Sequence, residues 1–424
     1  MVFFLLLVNR ALTQNLSLAE AIETGIKNRT ELKTGSLLLQ LEQQKNDKIK
    51  AAWMPQVSAS GDFRYNVILQ KSVLPIGEFG IPGVGQDVTT TVAFGVPFNT
   101  TVGVDVTQKL YDPIKTIDKK LNGNAVNYQL IEIEKQKKDI RYAITQAYYD
   151  VLFQKEKVKI TELAVSRAEV NLENVKTRFA SGTALNNDVD RLTLDLSNAM
   201  LAARKAQQDY TFAIDQLKFQ MNVGKDTKVE ISETIQTMLE SGSIMEPETP
   251  SVNSAILKEQ IAMNDNQLLA QKMVRQNAPT VSAYGNLSVL ALNEDINPFS
   301  FVGIRASMPL YDGRQSRLVQ QDYQIKQRIN QLTIEQLSGE LDVNIQSAKK
   351  FWAQAKLDLE EGEKNVSLAR QVYKTDVFRY EKGNLVLSDL KNSEFTLQNT
   401  ENNYLAAAYN YLMAALKLDK VLEK

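Results

Sequence analysis

Met54-Pro55-Gln56-Val57-Ser58-Ala59-Ser60-Gly61 returns later in the chain as Ala278-Pro279-Thr280-Val281-Ser282-Ala283-Tyr284-Gly285. Three more echoes follow in the same order. Leu110-Tyr111-Asp112 becomes Leu310-Tyr311-Asp312, Arg178-Phe179-Ala180-Ser181-Gly182 becomes Arg379-Tyr380-Glu381-Lys382-Gly383, and Asp188 becomes Asp389. From Arg178 onward the offset is 201 (379 minus 178), without a gap to the end of each copy. A duplication of this kind sets the architecture before any single element does. Each copy reads as helix, strand, strand, very long helix, break, long helix. The first repeat spans residues 15–222 and the second 251–424, joined by a Gly/Pro-bearing linker at 223–250.

The strands alternate with a period of two. Val57, Ala59, Gly61, Phe63, Tyr65 and Val67 interleave with Ser58, Ser60, Asp62, Arg64 and Asn66. The other three strands do the same, and the four are placed at Pro55–Leu69, Thr91–Leu110, Pro279–Leu290 and Phe299–Leu310. Alternation fits a sheet with one face on a soluble core and equally a membrane barrel, apolar to lipid and polar to a lumen. The helices add a second pattern. Leu185, Val189, Leu192, Leu196, Ala199, Ala203, Ala206, Tyr210, Ala213 and Leu217 step by four and three, a heptad seam. Val386, Leu390, Ser393, Leu397, Thr400, Tyr404, Ala407, Tyr411, Ala414 and Leu418 repeat it. Pro113–Phe179 and Gly313–Tyr380 predict helices on the order of 100 Å at 1.5 Å per residue. Helices of that length need lateral partners. Four strands cannot close a barrel, and open edges are not tolerated in lipid, whereas three copies would supply twelve.

Composition narrows the chemistry. The 424 residues carry 49 basic and 50 acidic side chains, a formal charge of −1. That balance gives no reason to expect a nucleic-acid partner. With no Cys and no His, the chain lacks thiolate chemistry, the commonest general base and the commonest transition-metal ligand. No catalytic residue, metal site or cofactor is expected. The apolar run from Val2 to Val8 is too short to span a bilayer, which takes about 20 residues. It reads as part of a signal peptide, residues 1–14, or as an ordinary buried end.

The ordered motifs resemble the TolC outer-membrane efflux family. The carriers are Leu16-Ser17-Leu18-Ala19-Glu20-Ala21-Ile22, the strand-opening Pro55 and Pro279, and the two Leu-Tyr-Asp closings. To these are added Ser181-Gly182-Thr183 through Asn187-Asp188-Val189 and Lys382-Gly383-Asn384 through Ser388-Asp389-Leu390. The resemblance implies a mostly α protein with β: a homotrimeric channel-tunnel with a 12-stranded outer-membrane barrel, continued by a long periplasmic α-helical barrel. It places the loops Gln70–Thr90 and Ala291–Pro298 outside the cell. It implies docking of a periplasmic adaptor at the hairpin tips, on Ser181, Gly182, Thr183, Leu185, Gly383, Asn384, Leu385 and Val386, with an inner-membrane pump engaged indirectly. It also implies a periplasmic gate. The family carries two aspartates and a basic residue there. Asp389 matches the first aspartate, Asn392 stands for the second and Leu385 for the basic residue. Asp389, with Asp188 as its repeat mate, would form the gate ring, and Tyr380 and Arg379 would supply latch bonds.

Two other classes fit parts of the pattern. One is a periplasmic coiled-coil adaptor that never enters a membrane. The other is a hydrolase with paired carboxylates; Glu360, Glu361 and Glu363 are available but lie on a charged helical face. No G-x-x-x-x-G-K-[ST] loop is present to power transport from within the chain.

Overall fold

The structure, a computed structural model, describes residues 14–76, 82, 85, 87–241, 253–293 and 295–423. In chain order its elements are β1 (Gln14–Leu16), α1 (Leu18–Asn28), α2 (Thr30–Ala51), β2 (Gln56–Tyr65), β3 (Gln70–Leu74), β4 (Thr90–Phe94) and β5 (Phe98–Tyr111). There follow α3 (Pro113–Ala180), α4 (Asn186–Met221), β6 (Val229–Ile231), α5 (Ile235–Ser241) and α6 (Ser254–Arg275). The chain closes with β7 (Thr280–Leu292), β8 (Asp295–Ser307), α7 (Gln315–Glu381) and α8 (Leu387–Val421). The expected signal peptide lies outside the described residues except for Gln14, which opens β1. The chain divides into two compact units.

Among the described residues the helical unit comprises 14–38, 128–241, 253–260 and 331–423. Its long helices bury the stripes that the heptads mark. From Val189 to Leu217 and from Leu390 to Leu418 every seam residue is buried or half-buried, while Leu185 and Val386 are exposed. Ile140, Ile144, Ala147 and Val151 of α3 form the core with Ala213, Leu217 and Met221 of α4 and with Leu405 and Ala408 of α8. The Leu16–Ile22 motif has a physical basis here. Ser17 caps α1 in a reciprocal box: its Oγ accepts from the Glu20 N–H, and the Glu20 carboxylate accepts from the Ser17 N–H at 2.9 Å. Ala21 and Gly25 then bury one side of α1. A Cβ on Gly25 would meet Ile144 Cδ1 at 2.0 Å, so any larger residue there would force the Ile144 side chain to move.

The linker contains elements that the sequence reading did not include. β6 pairs with β1 in parallel, and α5 follows it; residues 242–252 lie outside the described set. Tyr148 fastens this region from α3, its single hydroxyl proton shared between the Glu233 carboxylate at 2.5 Å and the Leu16 carbonyl at 3.0 Å. Burial, then the Glu233 carboxylate, push that hydroxyl's pKa far up, so it stays a donor.

The second unit, Leu39–Asn127 with Ile261–Asn330, holds a four-stranded antiparallel sheet in the order β2-β5-β7-β8. Three boundaries differ from expectation. The first pair is interrupted: β2 stops at Tyr65, and Gly95 (φ +108°) and Pro97 separate β4 from β5. Positive φ suits glycine, and proline offers no N–H to a ladder. The expected loop Gln70–Thr90 therefore carries a second hairpin, β3 with β4. The expected loop Ala291–Pro298 is replaced by a tight connection: β7 continues to Leu292, which pairs with Asp295, and Asn293 adopts positive φ (+53°). β8 ends at Ser307 rather than Leu310, because Pro309 cannot donate. The Leu-Tyr-Asp motifs act at the next step, as caps. The Asp112 carboxylate accepts from the Ile114 N–H at 3.1 Å, and Asp312 accepts from the N–H groups of Arg314 and Ser316 at 3.0 and 2.9 Å. Gly313 and Arg314 both take positive φ, which moves the start of α7 to Gln315.

Candidate functional site

The two hairpin tips of the helical unit are built alike. At the end of α3 the Gly182 N–H donates to the Phe179 carbonyl (2.9 Å) and the Thr183 N–H to the Arg178 carbonyl (2.8 Å). At the end of α7 the Gly383 N–H donates to Tyr380 (3.0 Å) and the Asn384 N–H to Arg379 (2.9 Å). Both are Schellman closures, with glycine at φ +79° and +77° in the left-handed position. Three residues after each glycine the return helix begins, with Leu185 and Val386 as N-caps and Asp188 and Asp389 in the first turn. The Asp188 carboxylate accepts from the Leu185 N–H at 3.3 Å, and a negative charge there also suits the helix dipole.

Most of the expected docking residues are on the surface. Ser181, Gly182, Thr183, Gly383 and Asn384 are exposed, as are Leu185 (70 %) and Val386 (61 %). Leu385 is half-buried, packed on a cluster of Leu172, Val175, Leu192, Leu390 and Tyr380. The expected gate residues do not form one group within the protomer. Asp389 and Asn392 face solvent, and the Asp389 carboxylate accepts from Ser388 Oγ at 3.4 Å. Arg379 is exposed and pairs with Asp376 at 3.7 Å, one turn back on its own helix. Tyr380 is 5 % exposed, inside the cluster. Its partner is Arg178, whose guanidinium lies 4.7 Å from the ring centroid and donates to the Tyr380 carbonyl at 3.3 Å. The first repeat is thus tied to the second next to both turns.

In the sheet unit, register gathers most of the apolar side chains on one face, although Phe299 and Phe301 fall on the other. Val57 pairs with Val106, Ala59 with Val104 and Gly61 with Val102; Val104 also pairs with Leu287, and Gly285 with Val302. One face is therefore predominantly apolar across all four strands, interrupted by Thr100 and Ser300. On the other, Ser58 faces Asp105, Asp105 faces Asn286, and the Asn286 amide donates to the Asp105 carboxylate at 2.7 Å. The apolar face is open: Phe63 is 70 % and Val302 90 % exposed. Among the described residues the outer edges of β2 and β8 have no strand beside them, so the sheet is not closed.

No family model and no curated sequence matches the chain. Solved structures do. CusC, whose structures were described for folding and transmembrane channel formation, superposes with a TM-score of 0.76 at 12 % identity, over 97 % of this chain and 95 % of its own. The Campylobacter jejuni CmeC outer membrane channel gives 0.73 at 12 % identity, over 96 % and 85 %. The Vibrio cholerae outer membrane protein VceC gives 0.71 at 13 %, over 96 % and 95 %. The chain has the fold of the TolC-family outer-membrane channels. Among the described residues no helix is long and apolar enough to cross a membrane. A TolC-type barrel would meet lipid through strands, to which that observation does not apply.

One constellation in this TolC-type fold escaped the sequence reading. Glu394 and Glu401 of α8 are almost fully buried. Glu394 accepts from Asn171 of α3 (3.2 Å) and from Lys391 (2.7 Å), which also pairs with Asp195 of α4 (3.0 Å). Glu401 lies between Arg167 of α3 (3.4 Å) and Arg370 of α7 (3.3 Å). Burial works to lower the Lys391 pKa, but Glu394 and Asp195 outweigh it and hold the ammonium above its ordinary value. Four helices are linked by ions within a few turns of the tips. The signal was present: Leu390, Glu394, Leu397 and Glu401 step by four, three and four, so the two carboxylates stand in an apolar stripe. A reading that treats every Glu as solvated passes over them.

Proposed function

We propose that this chain is one of three protomers of an outer-membrane exit duct, passing substrates received from a periplasmic adaptor and an inner-membrane pump. The carrying observation is the sheet: its register gathers most of the apolar side chains of four strands on one exposed face, and both edges are open. Soluble proteins rarely leave an apolar patch of that extent uncovered, and an open edge invites further strands. Three such sheets would make a 12-stranded barrel with lipid outside and Asp105, Asn286 and their neighbours lining a polar lumen. In this reading the exposed tips around Gly182 and Gly383 receive the adaptor, and Asp389 repeats three times around the periplasmic mouth. Such a duct moves cargo passively and needs no catalytic group. The fold likeness to CusC, CmeC and VceC supports the reading. The test is fractionation followed by negative-stain electron microscopy of detergent-extracted protein. Three-fold hollow particles from the outer-membrane fraction are expected; monomeric particles in the soluble periplasmic fraction would favour a coiled-coil adaptor instead.

A further inference from the structure

The internal repeat specifies which residues meet where two copies of the chain join. β2 relates to β7 by an offset of 224 (281 minus 57), and β5 to β8 by 200 (310 minus 110). The registers obey both offsets. Gln56 pairs with Thr107 in the first hairpin, and Thr280 with Ser307 in the second; 56 plus 224 is 280, and 107 plus 200 is 307. The two hairpins are therefore structural copies, and the β5–β7 seam between them lies inside the protomer. Applying the same offsets to that seam carries β5 onto β8 and β7 onto β2 of a second copy. Asp105 opposite Asn286 becomes Arg305 opposite Asp62, Val102 opposite Val289 becomes Val302 opposite Tyr65, and Val104 opposite Leu287 becomes Ile304 opposite Phe63.

We infer that β8 of one protomer pairs antiparallel with β2 of the next in the register that sets Arg305 against Asp62. This rests on the oligomeric-duct reading above and adds the atoms of its closing seam. Charge complementarity supports it independently of the repeat. Asp62 and Arg305 both lie on the polar face, and β2 and β8 are the two open edges. A slip of two residues in one direction puts Arg305 opposite Arg64, which is repulsive. A slip in the other direction leaves it opposite Ser60. A slip of one residue turns an apolar face inward. Within the protomer Arg305 now stacks on Tyr284, 4.6 Å from the ring centroid, and Asp62 pairs with Arg64 at 3.3 Å. Neither contact blocks the open edge.

The helices give the same answer by a separate offset. Adding 201 carries α3 onto α7, and subtracting it carries α8 onto α4. Arg167–Glu401 then becomes Leu368 against Met200 of the next copy, and Asn171–Glu394 becomes Val372 against Thr193. Leu368, Val372 and Met200 are all exposed in the single chain. The operation thus carries a buried ionic seam onto exposed apolar residues that a neighbour would cover.

The absence of cysteine permits a clean test. Directly opposed antiparallel residues lie about 4.5–5.5 Å apart at Cα, inside the disulfide range of about 4.4–6.8 Å, whereas diagonal neighbours are about 7–8 Å apart. Detergent-purified Asp62→Cys/Arg305→Cys, and the milder Ser60→Cys/Ser307→Cys, should convert under mild oxidant to a covalent trimer on non-reducing gels. The slipped pairs Ser58→Cys/Ser307→Cys and Asp62→Cys/Ser307→Cys should remain largely monomeric on the gel, although native mass shows a trimer. Efficient bridging of a slipped pair, or a native trimer in which neither in-register pair bridges, overturns the register alone. A chain that is monomeric by native mass overturns the register and the assembly reading together.

Discussion

Val104 is the position at which a single charge separates a lipid-facing sheet from a water-facing one. It lies on central strand β5, with Ala59 and Leu287 as its cross-strand neighbours on the apolar face. If that face meets hydrocarbon, Val104→Arg costs about 2–4 kcal/mol near the bilayer midplane. Three copies raise that to about 6–12 kcal/mol per barrel, which at about 1.4 kcal/mol per decade is roughly four to nine powers of ten in assembly. If the face meets water, a substitution at so open a site shifts stability by only about 0.5 kcal/mol. The control is Ser58→Arg, on the polar face opposite Asp105, where the new cation gains a carboxylate neighbour. The assay is the yield of trimer in the outer-membrane fraction, read by native mass after detergent extraction. Val104→Arg should abolish it and Ser58→Arg should leave it near wild type. Equal yields from the two variants would refute the lipid-facing assignment.

Removing the buried Glu401 carboxylate should leave the half-buried Arg167 guanidinium without its partner, so Glu401→Ala is expected to cost about 3–5 kcal/mol in chemical denaturation, and Glu401→Met distinctly less. A native Lys391 pKa above its unfolded value makes the folded state bind more protons at high pH. That stabilisation is complete below the unfolded lysine pKa and is lost as pH rises through the higher folded value. Lys391→Met should therefore remove a loss of stability confined to strongly alkaline pH; an unchanged alkaline limb would argue against the ionic link. Gly182 and Gly383 have open space where a Cβ would go, so their alanine variants should pay only for positive φ, about 1–2 kcal/mol each. Gly182→Trp with Gly383→Trp should abolish export while the trimer still forms; normal export would sink adaptor docking at the tips.

The parts of the fold that were legible in sequence are those with a long period. The seam from Leu185 to Leu217 and the alternation from Val57 to Tyr65 each average over many residues, so one exception does not disturb them. What was missed depended on single residues. Gly95, Pro97, Asn293 and Pro309 each moved a strand boundary by acting on one dihedral or one donor. β1 and β6 have only three residues each, too short to show a period. At the tips the two glycine turns were readable because positive φ leaves a residue-type mark. The tie between Arg178 and Tyr380 was not, because those residues are 202 apart and meet only through tertiary packing. Tyr380, expected to supply a latch bond, is held by Arg178 of the same chain.

The divergence of the two repeats at the ionic seam also bears on how copies sort themselves. Within a protomer the chain already holds α3 beside α8, so a costly buried ion pair such as Arg167–Glu401 is made without paying for association. Between protomers the contact must supply association energy, and the repeat offset places apolar Leu368, Val372 and Met200 there. Suppose α8 of a neighbouring copy took the place of α4 against α7. Glu401 would then occupy the Met200 position and press on Leu368, and Glu394 would occupy the Thr193 position and press on Val372. Glu401 would lose Arg167 and Glu394 would lose Asn171, while Lys391, on the same helix, would stay beside Glu394. An unpaired buried carboxylate costs several kcal/mol. The two helices share a heptad frame, yet the carboxylates make them non-interchangeable. Substituting Thr193 and Met200 together by Glu should give α4 the character of α8 and block trimer formation while leaving the protomer's own fold intact; native mass together with far-UV circular dichroism reads both. Trimer formation at wild-type level by that double variant would show that α4 does not meet α7 of the neighbouring copy through this face.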